Sequence, residues 1–465
     1  MRDFYKIVLC SILVAGFILS CGRKESEYTA DGRLILDYWE KWTGFEAEAM
    51  EKVVEEFNRS QDRLFVKYVV TAGIDRKLLV ATAGGDPPDI AGIWTWAINI
   101  YADKGAITRL DDYAKKAGIT RNDYIHVFYD MCTHRGKLWA LPTTPATIAL
   151  HWNKRLFREA GLDPNKAPKT IQELDEYAEK MTLYKLPDGK IISYPELIKL
   201  PDYKSIISNA EIIQMGFLPF EPGWWNWAWN HYFWGTMWNG RDKMTINTPE
   251  QIKAYKWIAS YSEKFGKDLV ERFTSSFAGQ FASSQNAFLC GRVAMEIQGV
   301  WMYNFIDKYA PGMDWGCAPF PTDAEVKGLE NVTVVEGDVL VIPLGARHPE
   351  ESFEFIKFVQ NQKYMEMLCM GHRKFTPLAS VSEDFYKNHP HPYLNVFREL
   401  AKSKYAFTVP AIGISNEILR EYNVACDLVR KLELSPEKAL NDLQVQLQNS
   451  LDREIQRLKR RGKWQ

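Results

Sequence analysis

Regular patterning begins at Leu34. Leu34 to Trp39 is a short apolar run, followed by the polar-edged segment Glu40-Lys41-Trp42-Thr43-Gly44. Ala47, Met50, Val53, Val54 and Phe57 then recur at helical spacing, which predicts an amphipathic helix. Leu64 to Val70 reads as a second strand and Asp75 to Ala83 as a second helix, stopped by Gly84-Gly85-Asp86-Pro87-Pro88. Asp89 to Ile93 is a third strand, with Trp94-Thr95-Trp96 just past its end. Strands alternating with helices predict an α/β fold built on a parallel sheet.

The pattern then changes. Gly136 to His151 (GKLWALPTTPATIALH) has a Pro-punctuated middle and reads as an extended crossing between two bodies. Thr170 with Glu173 forms a helix-starting capping box, and Thr248-Pro249 opens a further helix. Leu183 to Phe220 reads as irregular. Arg292 to Ile297 and Val339 to Pro343 are strands, the second preceded by Glu336 and Asp338. Pro349 to Val359 is a helix, and Leu440, Leu443, Leu447 and Leu451 form the stripe of a last one. No internal repeat is visible. One segment fits neither period: GWWNWAWNHYFWG, Gly223 to Gly235, carries Trp224, Trp225, Trp227, Trp229 and Trp234. Such rings either pack an irregular loop against its own core or line a binding surface.

Charge narrows the partners. With 58 basic and 59 acidic residues the net charge is −1, and the only basic cluster is the tail Arg457 to Lys463, so nucleic acid is not an expected partner. At the other end Arg2 and Lys6 precede the apolar run Ile7 to Leu19, which has the length of a signal-peptide core and is short for a membrane span. It closes on Ile18-Leu19-Ser20-Cys21-Gly22, which resembles a bacterial lipobox. Residues 1–21 are therefore expected to be a lipoprotein signal, Cys21 the lipidated residue, and 22–30 a tether. The alternative is an ordinary secretory signal in which Cys21 is incidental. No later stretch is apolar enough to cross a bilayer, so a body held on the membrane surface, outside the cytoplasm, is expected. Cys132, Cys290, Cys317, Cys369 and Cys426 are widely spaced; no CxxC, HExxH or P-loop appears, and no metal or cofactor is expected.

Several ordered pieces now resemble one family, the extracellular solute-binding proteins of ATP-binding-cassette importers, in the carbohydrate class that includes maltose-binding protein. The pieces are GGDPPDIAGIW with YADKGAITRLDDY, the crossing GKLWALPTTPATIALHWNKRLFREAGLD, APKTIQELDEYAEKM, GRVAMEIQGVW with WGCAPFPT, and EGDVLVIPLGARHPEESFEFIKFV. The resemblance implies a two-lobed periplasmic-binding-protein fold of type II, crossed three times by the chain, with a ligand cleft between the lobes that closes by hinge motion. It places lobe one at 31–146 plus 320–362 and lobe two at 147–319 plus 363–465. The expected partners are a sugar and ABC permease subunits, and a monomer is the default.

Ligands of doubly wound sheets meet the loops at the carboxyl ends of strands. There the chain offers Trp42 and Thr43, then Trp94 and Trp96, and Thr144 in the first crossing. Trp301 falls where the resemblance implies an aromatic platform; Glu336, Asp338 and Arg373 are the charged candidates, and Trp225 and Trp227 those of the Trp-rich segment. A pyranose has an apolar C–H face and a rim of hydroxyls, so rings with a few placed polar groups suit it. The sequence departs from maltose-binding protein at Trp96-Ala97, Ala146 and Glu417-Ile418, which puts maltose itself in doubt. Three other readings stay open: a non-sugar solute such as a glycerol-phosphate ester or peptide in the same fold, an exported glycoside hydrolase, which needs two facing carboxylates, and a surface lectin-like adhesin with no transporter.

Overall fold

The computed structural model describes residues 26–220, 226–326 and 328–462. The signal segment with Cys21, and Trp224 and Trp225, lie outside the described residues.

Strand β1 (Leu34–Glu40) pairs in parallel with β2 (Leu64–Val70) and β3 (Ile90–Trp94). The helix Phe45–Ser60 buries Ala47, Met50, Val53, Val54 and Phe57 beneath them, the stripe its spacing predicts. Next to β3 runs the antiparallel β12 (Thr333–Val341), and next to that β6 (Leu141–Asn153). β6 serves two bodies. Its first half, Leu141 to Thr147, pairs with β12; its second half, Ile148 to Asn153, pairs with β10 (Val293–Gly299) and β11 (Trp315–Ala318). Beyond β10 lie β9 (Glu211–Phe217), β7 (Leu183–Lys185) and β8 (Ile191–Ser193). The hairpin β4 (Thr133–His134) and β5 (Lys137–Leu138) stands apart, and β13 (Ala406–Phe407) adds to β12.

The join between the bodies is fixed by a hydroxyl. Thr333 Oγ1 accepts from Ile148 N at 3.1 Å and donates to Ile148 O at 2.9 Å. Pro142 and Pro145 sit opposite β12, with a register shift between Gly337 and Val339; prolines withhold ladder donors there, and bulges form where the ladder is broken.

Two apolar cores follow. One gathers β1 to β3, the early half of β6, the later half of β12 and residues Met365 to Ala401. The other gathers Leu150 through Phe277, Phe320 to Val334 and Val409 to Leu458. The first core also takes in Phe288, Val300, Met302, Ile306, Trp315 and Cys317, so the chain passes between the two cores several times. The helix Gln362–His372 joins the same core: it buries Met365, Leu368 and Cys369, and packs so tightly on the helix Phe45–Ser60 that a Cβ at Gly371 would lie 2.5 Å from Ala49 Cβ.

Three local expectations are corrected. Glu336 and Asp338 lie within β12, not ahead of it, because the β-branched run at Thr333 starts the strand earlier. The segment 183–220 contains β7, β8 and β9, whose short runs carry no clean alternation. The Thr170 cap forms on Glu173 N at 3.1 Å, but the Glu173 carboxylate returns to Lys169 N instead of Thr170 N.

Candidate functional site

Five backbone pieces converge at the carboxyl ends of β1 and β3. β1 delivers Glu40, and Lys41 and Trp42 follow it. β3 ends on Trp94, opposite Asp338 of β12. β6 contributes Thr144, and the end of the helix Gln362–His372 contributes His372 and Lys374.

At their centre is a buried ionic network. Lys41, its side chain 6% exposed, places Nζ 3.0 Å from Asp338 Oδ1 and 3.1 Å from Glu40 Oε1. Thr144 donates to Asp338 Oδ2 at 2.6 Å, and Lys374 Nζ stands 3.8 Å from the same atom and 3.3 Å from Glu46 Oε1. The Tyr38 hydroxyl donates to Glu40 Oε2 at 2.6 Å, and Lys41 N donates to Oε1 at 2.8 Å. Three carboxylates therefore hold two ammoniums. Gly92 makes room for this: a Cβ there would come within 1.7 Å of Glu40 Oε2.

The network sets its own protonation. Burial pushes the Asp338 carboxyl up, but the Lys41 and Lys374 charges and the Thr144 bond outweigh it, and the group sits below its ordinary range. Glu46 is likewise lowered, burial being overcome by Lys374 and His372. Burial alone would lower both lysines, yet Asp338 and Glu40 raise Lys41, and Glu46 and Asp338 raise Lys374. Glu336 has no such support. Burial and then the Asp338 charge push its carboxyl up to about 8, so at neutral pH it carries a proton and can donate.

Rings frame the lysine. Its Nζ lies 4.8 Å from the Trp42 ring centroid and 5.0 Å from that of Trp94, within cation–π range. Trp94 and Trp96 stack at 5.6 Å with 16° between planes. Trp96 packs against both apolar cores and lines a cavity of about 220 Å³ whose other wall is Thr408 to Ala411. Asn99 spans the same gap, donating from Nδ2 to Ile412 O at 2.7 Å and Ser415 Oγ at 3.0 Å.

Of the residues singled out from sequence, Trp42, Trp94, Thr144 and Asp338 meet in this cluster, with Trp96 and Glu336 beside it. Trp42 is buried edge-on against His372 at 4.5 Å, and Thr43 is exposed. The Trp301 ring folds back over Gly299, where a Cβ would lie 2.2 Å from it. Arg373, with φ +56°, turns outward to Asp307 at 2.5 Å and over the Tyr303 ring at 5.5 Å. Trp227 is 1% exposed in the second core against Phe407 at 5.9 Å; its ring covers core here, and not the gap between the bodies. Trp229 is equally buried, donating to Pro219 O at 2.7 Å and meeting Trp257 at 4.9 Å. Sequence reading passed over Glu46 and Asn99. Their charge and amide read as surface, and only their contacts show them to be internal.

The description "Bacterial extracellular solute-binding protein" belongs to a family profile that matches residues 44–366. The chain belongs to this family. Its two-lobed α/β fold is that of solved binding proteins: the mannobiose-bound CpMnBP1 superposes with a TM-score of 0.72 at 26% identity, covering 88% of this chain and 98% of that one. Lmo0181 of Listeria monocytogenes, in complex with cycloalternan, gives 0.71 at 18% identity over 90% and 99%. Among curated relatives, the sn-glycerol-3-phosphate-binding periplasmic protein UgpB of Salmonella paratyphi A is 22% identical over 392 residues, covering 80% of this chain and 82% of the relative. Of these, Lmo0181 is an ABC substrate-binding protein. As a family member the chain is a solute-binding protein that works outside the cytoplasm; among its described residues no helix is long and apolar enough to cross a membrane.

Proposed function

We propose that this solute-binding protein captures a sugar, an oligosaccharide, between its lobes and delivers it to an ABC permease while tethered by a lipid on Cys21. The observation that carries the reading is the stacked pair Trp94–Trp96 beside Lys41, whose ammonium is already engaged by two carboxylates. Flat rings at the carboxyl end of β3 suit the C–H face of a pyranose, and the protonated Glu336 and nearby hydroxyls suit its rim. The mannobiose-bound neighbour supports the same class. Trp42, Thr43, Trp94, Trp96, Thr144, Trp225, Trp301, Glu336, Asp338 and Arg373 remain the proposed ligand residues, Trp94, Trp96 and Glu336 foremost; Trp227, enclosed in the second core, is left out. The lobes are proposed to move as the two apolar cores divide them, about the Thr333–Ile148 join.

A phosphate ester is the second reading, favoured by the curated glycerol-phosphate-binding relative. A phosphate would draw on free cations and helix N-termini, whereas both buried lysines here are held by carboxylates. Hydrolysis would draw on Glu336 and Asp338, the one proton-bearing and the other ionised; Asp338 is committed to Lys41 and Thr144, so binding without turnover is the reading adopted.

A thermal-shift screen of the body from Lys24 onward, against mono- and oligosaccharides and glycerol-phosphate esters, tests this. A ligand at a hundred times its dissociation constant adds about 2.7 kcal/mol of stability. An upward shift with a sugar recovered intact supports the proposal. Shortened sugar makes the protein an enzyme, and a shift with phosphate esters alone selects the second reading.

A further inference from the structure

The groove beside Trp96 does not end there. Thr133 and Ala411 line both its cavity and a larger one of about 700 Å³. In the larger cavity Trp139 comes from the first lobe and Trp238 from the second. The Trp139 indole donates to His134 O at 3.1 Å. Trp238 Nε1 is buried with no hydrogen-bond partner among the described residues. A buried donor without an acceptor is costly, and one that lines a cavity regains its bond from a ligand acceptor.

The charge of this lining is one-sided. Arg109, Arg135 and Lys137 reach it from the first lobe and Arg241 from the second, against only the carboxylates of Asp103 and Glu454 among the described residues. Those carboxylates are taken: Asp103 by His134 at 3.1 Å and Arg135 at 3.0 Å, Glu454 by Arg457 at 2.6 Å. Arg109 is held by Asp111 at 3.1 Å. Lys137 and Arg241 have no ion-pair partner among the described residues. Arg135 and Gly136, both with positive φ (+52° and +64°), form the turn between β4 and β5, a place where Asn or Gly is usual. The strained turn presents its guanidinium to Asp103, beside Lys137. Like charges facing one another from two lobes oppose closure, and an anion between them removes that opposition.

We propose that this end of the groove recognises the carboxylate of a uronic-acid unit on the captured saccharide. Lys137 and Arg241 pair with the carboxylate, Trp139 and Trp238 flank the sugar ring, and Trp238 Nε1 donates to it. The inference rests on the sugar-binding reading above and narrows it to acidic oligosaccharides.

Calorimetric titration of the full chain in detergent tests it. The probes are uronate-terminated gluco-, manno- and xylo-oligosaccharides, each with its carboxyl-reduced neutral counterpart, and inorganic phosphate alone. One acidic member is expected to bind about tenfold tighter than its neutral counterpart, with an advantage that shrinks as salt rises. The double variant Lys137→Gln, Arg241→Gln, altered at two exposed positions, is expected to abolish that advantage, so that the acidic member and its neutral counterpart bind the variant equally. Equal affinity for acidic and neutral partners overturns the inference, as does a preference that survives the double variant. Phosphate binding as tightly as the acidic sugar overturns it in favour of a free-anion site. If no saccharide of either kind binds, the sugar reading itself falls; if neutral sugars bind and the carboxylate adds nothing, only the present inference falls.

Discussion

Replacing Glu336 with Gln removes one ionisable proton from the middle of β12 and almost nothing else. The folded carboxyl holds its proton up to about pH 8, against an ordinary value of 4.5, because it is largely desolvated and faces the charge of Asp338. A folded pKa raised above the unfolded one means that the folded state binds the proton more tightly. The associated stability is complete below about pH 4.5 and is lost as pH rises through 8. At about 1.36 kcal/mol per pH unit, the whole effect amounts to at most about 5 kcal/mol. Between pH 5 and pH 9 it amounts to about 4 kcal/mol, the larger part of it below pH 7. The Gln variant keeps the shape and the hydrogen-bonding capacity without the titration. Urea unfolding of both proteins at pH 5, 7 and 9 should therefore show the wild type losing about 4 kcal/mol relative to Glu336→Gln across the series. Curves that run parallel within about 1 kcal/mol would mean that Glu336 ionises like a solvated carboxylate, and the electrostatic account of this strand would be wrong.

Other perturbations probe different parts of the structure. Gly92→Ala drives a methyl into the Glu40 carboxylate, which cannot retreat without leaving Tyr38 and Lys41; calorimetry should show a loss of about 3–5 kcal/mol, and a neutral outcome would mean that the network is loose. Asn99→Ala removes two bonds between the lobes, worth about 1 kcal/mol each; small-angle scattering should show a larger radius of gyration without ligand, and an unchanged profile would deny that contact a part in closure. Trp229→Ala, at a position with no exposed surface, should cost about 3–5 kcal/mol with or without sugar present, measured by urea unfolding.

The early βαβ alternation was legible because each element is long enough to show its own period: the apolar stripe from Ala47 to Phe57 and the Leu64 to Val70 run announce themselves. β9 was not, since its side chains are partly buried on both faces and its run is broken by Gln214 and Gly216. Trp42, Trp94, Thr144 and Asp338 could be picked out as candidates from their places at strand ends and in the first crossing. What a single sequence could not give was the enclosure of the charges. Nothing local marks Lys41 and Lys374 as internal; the approach of Asp338 from β12, and of Glu40 and Glu46 from the end of β1 and the helix just after it, encloses them. The Trp-rich segment divides in the same way. Trp227 and Trp229 pack the second core, which no local pattern distinguishes from a ring waiting for a ligand.

The central claim is that sugar rests on the ring pair at the end of β3. Titrating the sugar identified by the thermal screen into the wild type and into Trp94→Ala tests it most directly. Affinity is predicted to fall at least tenfold, about 1.4 kcal/mol, while the melting temperature without sugar stays within a few degrees of the wild type, because Trp94 is only partly buried. Equal affinity in the two proteins would contradict the claim and place the ligand elsewhere in the chain.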